Sequence, residues 1–316
     1  MNYFKVLGLA KEPFSNSPDP EFFFQPRRHV SYLQKLEIAI RMRRGLNVVM
    51  GEVGTGKTTL SRQLIRKFSE DEKIETHLIL DPRFKNPIEC LSALNELFGL
   101  PPAGSESSEW KLKDNIQKYL FRKGVEEQKI VVLIVDEGQK IASFFVEILR
   151  ELLNFEVNEY KLLQIVIFAQ REFQQVLTAY PNFTDRINLI QYLGPLDFRD
   201  TRSMIRFRLN QAKASYKLPD LFSLPGYYAA YRATGGYPRK IIHLCHRAML
   251  TMIIQSRTKA GWRLVNWCAR MAFPERSARW GWAVASAVIV LIAVTMLRFG
   301  PGNVRHRPPA KGSSAP

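Results

Sequence analysis

From Gly51 to Thr58 the chain reads Gly-Glu-Val-Gly-Thr-Gly-Lys-Thr, a complete G-x-x-x-x-G-K-T spacing placed directly after the apolar run Leu46 to Met50. A triphosphate needs many donors and little steric bulk. Gly51, Gly54 and Gly56 let the backbone curl, so that the amides of Glu52, Val53, Thr55 and their neighbours through Thr59 face the phosphates. Lys57 is then set to reach the β and γ oxygens, and the Thr58 hydroxyl to ligate magnesium. ATP and Mg2+ are the expected cofactors.

A second group turns binding into hydrolysis. Ile130 to Val135 is entirely apolar and mostly β-branched and ends in Asp136-Glu137. That pattern is a central parallel strand delivering two carboxylates to its C-terminal edge. Asp136 is the candidate for the magnesium shell and Glu137 for polarising the attacking water. A third apolar run, Leu162 to Phe168, precedes Ala169-Gln170, which makes Gln170 the candidate sensor of the γ-phosphate. Two arginines are candidates for supplying positive charge from outside these strands. Arg239, in Gly236-Tyr-Pro-Arg239, opens an apparent helix over 240–254 and is placed to lie over the phosphates from a second domain. Arg186, after Pro181-Asn-Phe-Thr-Asp185, is placed to project into a neighbouring subunit.

These groups need a scaffold. Gly45 to Met50 predicts a buried strand feeding the loop, and Thr59 to Phe68 a helix whose positive N-terminal end lies under the phosphates. Residues 28–44 predict an amphipathic helix with Leu33, Leu36, Ile38 and Ile40 on its apolar side. Pro101 to Ser108 is a loop by composition, dividing a helix over 87–98 from another over 109–123. Residues 198–255 read as helical without strong strands. The three cysteines, Cys90, Cys245 and Cys268, have no zinc or disulfide spacing and fit a reducing compartment.

With its loop, Asp-Glu strand, Gln-tipped strand and Gly-x-Pro-Arg in this order, the chain resembles the AAA+ ATPases. More narrowly it resembles the general secretion pathway protein A (ExeA-type) ATPases and the related ATPases of pilus-biogenesis and exopolysaccharide-export loci. The narrower likeness rests on Gly8-Leu9, Glu12-Pro13-Phe14 and Pro18-Asp19-Pro20-Glu21-Phe22-Phe23, and continues through Asp136-Glu137 with Gln139, Gln170 and Gly235 to Arg239 with Leu244-Cys245. It implies an α/β P-loop NTPase (AAA+) with a parallel sheet and a small helical lid, working as a homo-oligomer with inner-membrane secretion or export proteins. The chain departs from the family at Gly138-Gln139-Lys140, where Ala-Gln-Asn is usual, and at Ala169-Gln170-Arg171, where Gly-Gln-Pro is common. Both changes add positive charge near the catalytic edge. The peptidoglycan-binding domain of secretion-type members is not expected here.

Trp280 to Leu297 is an uncharged stretch of eighteen residues. As a helix it spans about 27 Å, enough for a bilayer core once its flanks are included. Trp280 and Trp282, with Arg276 and Arg279 before them, suit an interfacial belt. The expected organisation is therefore an N-terminal segment and helix (1–44), an ATPase core (45–197), a helical lid (198–258), a basic juxtamembrane linker (259–279), one transmembrane helix (280–297) and a short extracytoplasmic tail (298–316). Met1 to Leu9 lacks the apolar region of a cleavable signal, so the ATPase is expected in the cytoplasm, anchored to the inner membrane. The net charge of +17 fits two partners, the anionic lipid surface and nucleic acid. The anchor makes the first more economical. The rival function is a DNA-associated AAA+ regulator of the transposition or replication type.

Overall fold

The computed structural model describes residues 3–15, 22–101, 108–158, 160–214 and 220–274. Its centre is a parallel sheet of order β2-β3-β6-β1-β7, formed by β1 (Leu46–Gly51), β2 (Ile74–Ile79), β3 (Ile130–Val135), β6 (Leu163–Ala169) and β7 (Ile187–Leu193). Strands β1 and β6 are buried along their whole length and β3 along all but its first residue, which explains why their sequences are nearly continuous apolar runs.

Strand alternation divides the side chains between two helical layers. Val49, Val132, Ile134, Val166 and Phe168 pack against α1 (Arg27–Arg41) and α2 (Lys57–Phe68). Val48, Met50, Leu133, Val135, Ile165 and Ile167 face the opposite layer. That layer holds α3 (Pro87–Leu97), α4 (Glu109–Phe121), α5 (Ser143–Leu152), α6 (Phe173–Ala179) and the single turn α7 (Pro181–Thr184). A small hairpin, β4 (Glu156–Val157) with β5 (Tyr160–Lys161), stands apart from the sheet.

A separate core holds four helices, α8 (Phe198–Ala212), α9 (Leu224–Thr234), α10 (Pro238–Ile254) and α11 (Trp262–Ala272). Three expectations change here. The segment 259–279 is not simply a linker: Leu264, Val265, Cys268 and Ala269 of α11 are buried in this core at helical spacing, so α11 is part of the lid. Residues 1–44 are not one unit. Leu9, Phe14 and Phe22 join the lid core, the Ala10 amide donates to the Ala212 carbonyl at 2.7 Å, and Arg208 Nη1 donates to the Pro13 carbonyl at 2.9 Å, whereas α1 packs on the sheet. Finally, Ile38 is 58 % exposed, because its position lies across the helix from Leu33, Leu36 and Ile40.

Among the described residues no helix is long and apolar enough to cross a membrane. The expected transmembrane helix, residues 280–297, and the tail after it lie outside the described residues.

Candidate nucleotide site

The loop after β1 turns tightly into α2. Gly56, at φ 103°, caps the helix in the left-handed region, and Gly54, two residues earlier in the turn, is also left-handed at φ 81°. Gly54 also faces the lid: a Cβ there would sit 3.1 Å from Arg239 Cβ, and the Arg239 amide approaches the Gly54 carbonyl at 3.5 Å. The α2 N-terminus thus presents unsatisfied amides to the loop.

Lys57 is buried, and its Nζ donates to the carbonyls of Gly51 at 2.9 Å and Glu52 at 3.0 Å. Burial pulls its pKa below the usual lysine value, while Glu137, Asp136 and Glu172 oppose that shift. The cation therefore lies in the field of three carboxylates and has backbone acceptors that phosphate oxygens can replace.

Parallel pairing brings the other groups to the same edge. Met50 of β1 aligns with Ala169 of β6, and Ile167 of β6 with Val135 of β3, so Gln170 emerges between the loop and Asp136-Glu137. Asp136 is 3 % exposed, and its Oδ1 accepts from the Glu137 amide at 2.9 Å. Glu137 adopts φ 54°, an unusual backbone for a non-glycine residue.

A residue outside the expected catalytic set links these groups. Gln139 Nε2 donates to Glu137 Oε2 at 2.6 Å, while Gln139 Oε1 accepts from the Gln170 amide at 2.9 Å. The path depends on Gly138, where a Cβ would lie 2.4 Å from Ile167 Cγ2, so the smallest residue lets this turn press onto β6. The extra positive charges of this chain also meet carboxylates. Lys140 Nζ is 3.8 Å from both Glu137 and Asp81, and Arg171 is 3.3 Å from Glu52.

The lid closes one side. Glu52 accepts from the Tyr237 hydroxyl, so the phosphate loop is bonded to the residue just before α10, and Arg239 occupies the second position of that helix. Behind the loop lies a cavity of about 500 Å³, lined by Phe22, Phe24, His29, Thr59, Met204 and Ile242 among others. Its walls are partly apolar and partly basic, with Arg62, Arg66 and Arg208 also lining it, and its size admits a nucleobase. Burial lowers the His29 pKa to about 4, leaving a neutral imidazole at this wall. The aromatic run Phe22-Phe23-Phe24, read in the sequence only as part of the opening segment, lines this cavity.

Arg186 lies elsewhere. It precedes β7, whose Ile187 aligns with Leu46 at the start of β1, five positions before Gly51, roughly 17 Å along a strand. Its Nη1 is bonded to Asn154 Oδ1, and it lines a cleft with Arg44, Arg150 and Lys161. It is not positioned for its own chain's phosphates.

The oxygen donors Thr58 and Asp136 suit a hard cation such as magnesium, with phosphate and water completing the shell. Residues 40–177 match the family model described as an AAA domain. The chain is 33 % identical over 259 residues to general secretion pathway protein A of Aeromonas hydrophila, an alignment spanning 81 % of this chain and 46 % of that protein. The chain therefore spans about half the length of this curated relative.

Among solved structures, the fold is similar to that of the Aeropyrum pernix ORC2 protein in its ADPNP–ADP complexes. That match has a TM-score of 0.58 and 17 % identity, and covers 83 % of this chain and 72 % of that one. It is also similar to Cdc6p of Pyrobaculum aerophilum, with a TM-score of 0.62 and 17 % identity, covering 80 % and 68 %. Another similar structure is the Thermotoga maritima RuvB branch-migration motor, with a TM-score of 0.51 and 15 % identity, covering 82 % and 73 %. At these identities the likeness speaks to the fold.

Proposed function

This chain is an AAA-type P-loop protein related to general secretion pathway protein A, and we propose that it hydrolyses ATP at the inner membrane to drive assembly or operation of a cell-envelope secretion or export system. The observation that carries hydrolysis is the bonded path from Glu137 through Gln139 to the Gln170 amide, at the edge that also holds Lys57 and Asp136. The envelope role is supported by the relative and by the uncharged run at 280–297.

Mg2+ held by Thr58 and Asp136 supplies neutralisation of phosphate charge when bound. Lys57 exchanges its two carbonyl acceptors for phosphate oxygens, losing no hydrogen bonds in the exchange. Glu137 accepts the proton of the attacking water, and Gln139 couples its orientation to the end of β6. Arg239 adds charge from the lid, so the lid's position depends on whether phosphate is present. Arg186 acts on a neighbouring copy, which makes the working form a homo-oligomer.

Lys57→Ala should weaken binding of a fluorescent ATP analogue about 10- to 100-fold, the worth of hydrogen bonds to a charged group. Mixing Glu137→Gln subunits with Arg186→Ala subunits should restore part of the hydrolysis that each lacks alone. No recovery would remove Arg186 from the neighbour's site. Alkaline carbonate washing of membranes tests the anchor: the full chain should stay in the pellet, and its release would overturn the membrane assignment.

A further inference from the structure

The chain's excess charge is concentrated in one part of the molecule. Residues 45–197 contain 18 Lys and Arg against 22 Asp and Glu, whereas residues 198–274 contain 14 against 2. The positive surface therefore belongs to the lid, and the sheet core is slightly acidic.

Within the lid, α11 shows where that charge is presented. Its inner side is Leu264, Val265, Cys268 and Ala269. Arg263, Trp267, Arg270 and Met271 are exposed and fall along one stripe at helical spacing, while Trp262, also exposed, stacks on Tyr228. Trp267 is 50 % exposed and Met271 62 %. Helix α10 packs alongside, tied by Arg247 Nη1 to the Met271 carbonyl at 3.4 Å and by Cys268 Sγ to Thr251 Oγ1 at 3.3 Å. Its last turn adds Ile254, 83 % exposed, followed by exposed Arg257 and Lys259.

A solvated helix face ordinarily carries charge without large apolar groups. This one alternates arginine with Trp and Met, the composition of a helix that lies in a lipid interface.

We infer that the lid face formed by α11 and the end of α10 docks on an anionic bilayer surface. The reading rests on the inner-membrane assignment made above, and it adds which element touches the lipid. The occupant follows from charge complementarity: a basic, Trp-bearing lid is drawn to acidic headgroups, and a core with more carboxylates than cations is turned away. It also follows from the chain itself, since Arg276, Arg279 and the uncharged run come directly after α11. Because α11 shares its core with α9 and α10, it cannot lie on the membrane as a loose tether. The membrane holds the lid, and the core, which closes and opens on the lid with nucleotide, becomes the moving part.

The test uses the full chain with Met271→Cys, labelled with an environment-sensitive dye. The natural thiols give little background, because Cys90, Cys245 and Cys268 are buried and burial raises their pKa values. The labelled chain is reconstituted in vesicles of phosphatidylcholine alone and of equimolar phosphatidylcholine and phosphatidylglycerol. Dye emission should shift to the blue, and be quenched by a spin-labelled lipid, in the anionic vesicles only.

Arg263→Glu with Arg270→Glu should lower the docked fraction at least about tenfold, given the attraction of each basic residue to an anionic surface. ATP-analogue binding should be unchanged. Equal emission in both vesicle types, or no response to the charge reversal, would overturn the inference. So would a dye shift caused by duplex DNA in neutral vesicles, which would give this face to nucleic acid. Flotation separates the two readings: a chain that fails to float with neutral vesicles defeats the anchor, while the anionic arm still reports on the lid.

Discussion

The sheet core and the lid both border the phosphate loop, but they hold their functional groups in different ways. In the core, Gly51, Asp136 and Gln170 lie at or just past the ends of three adjacent strands, each paired on both sides, so hydrogen bonding and burial fix their relative positions. In the lid, Arg239 and Tyr237 sit at the start of a helix whose ties to the loop include a backbone approach at Gly54 and a side-chain bond to Glu52. The core suits bond breaking, which needs groups held still. The lid suits reporting, because these ties to the loop run through side-chain and end-of-helix contacts rather than through the sheet. Its base-side wall, Met204 and Ile242, would move with it.

The sharpest way to break this division is Glu137→Gln. A core general base predicts a fall in ATP turnover of about 10²- to 10⁴-fold with nucleotide affinity retained, measured by phosphate release and by analogue titration. Hydrolysis at the parental rate would move the chemistry away from β3.

A smaller effect should appear at the wall shared by core and lid. His29 has a folded pKa of about 4, below the ordinary histidine value of 6.5, so the unfolded chain takes up the proton first as pH falls. Its stabilising contribution is complete above about 6.5, is lost between there and about 4, and amounts to ~3 kcal/mol. Urea midpoints measured across that range should fall in the parent and fall less in His29→Phe. Equal slopes would show that the imidazole is solvated.

The smallest effect tests the latch. Tyr237→Phe removes the bond to Glu52 and should cost ~1 kcal/mol of lid attachment, read as faster hydrogen exchange over residues 238–254. Exchange in β1, β3 and β6 should not change. A matching increase in those strands would mean that lid and core open as one unit.

The sequence made much of the core legible. The apolar runs at 46–50, 130–135 and, apart from Leu162, 162–168 are strands in the structure, and the glycine spacing after the first becomes a loop with left-handed residues at Gly54 and Gly56. These features depend on neighbours along the chain, so they are written in it. The edge strand β2 was not read, because four of its six residues are only half-buried and the apolar signal is weak. Helix α11 was read as a basic linker because its buried side is narrow and its outer side is rich in Arg and Trp.

By itself, then, the sequence determined the phosphate loop, the Asp136-Glu137 strand end and the helical nature of the lid. Each follows from a local rule of backbone geometry or side-chain periodicity. Only the tertiary structure decided that the opening segment packs into the lid, that Gln139 joins Glu137 to Gln170, and that Phe22, His29, Met204 and Ile242 share one cavity. Those arrangements join residues far apart in the chain. They arise from burying apolar surface and satisfying polar groups across elements, costs and gains that no short window of sequence contains.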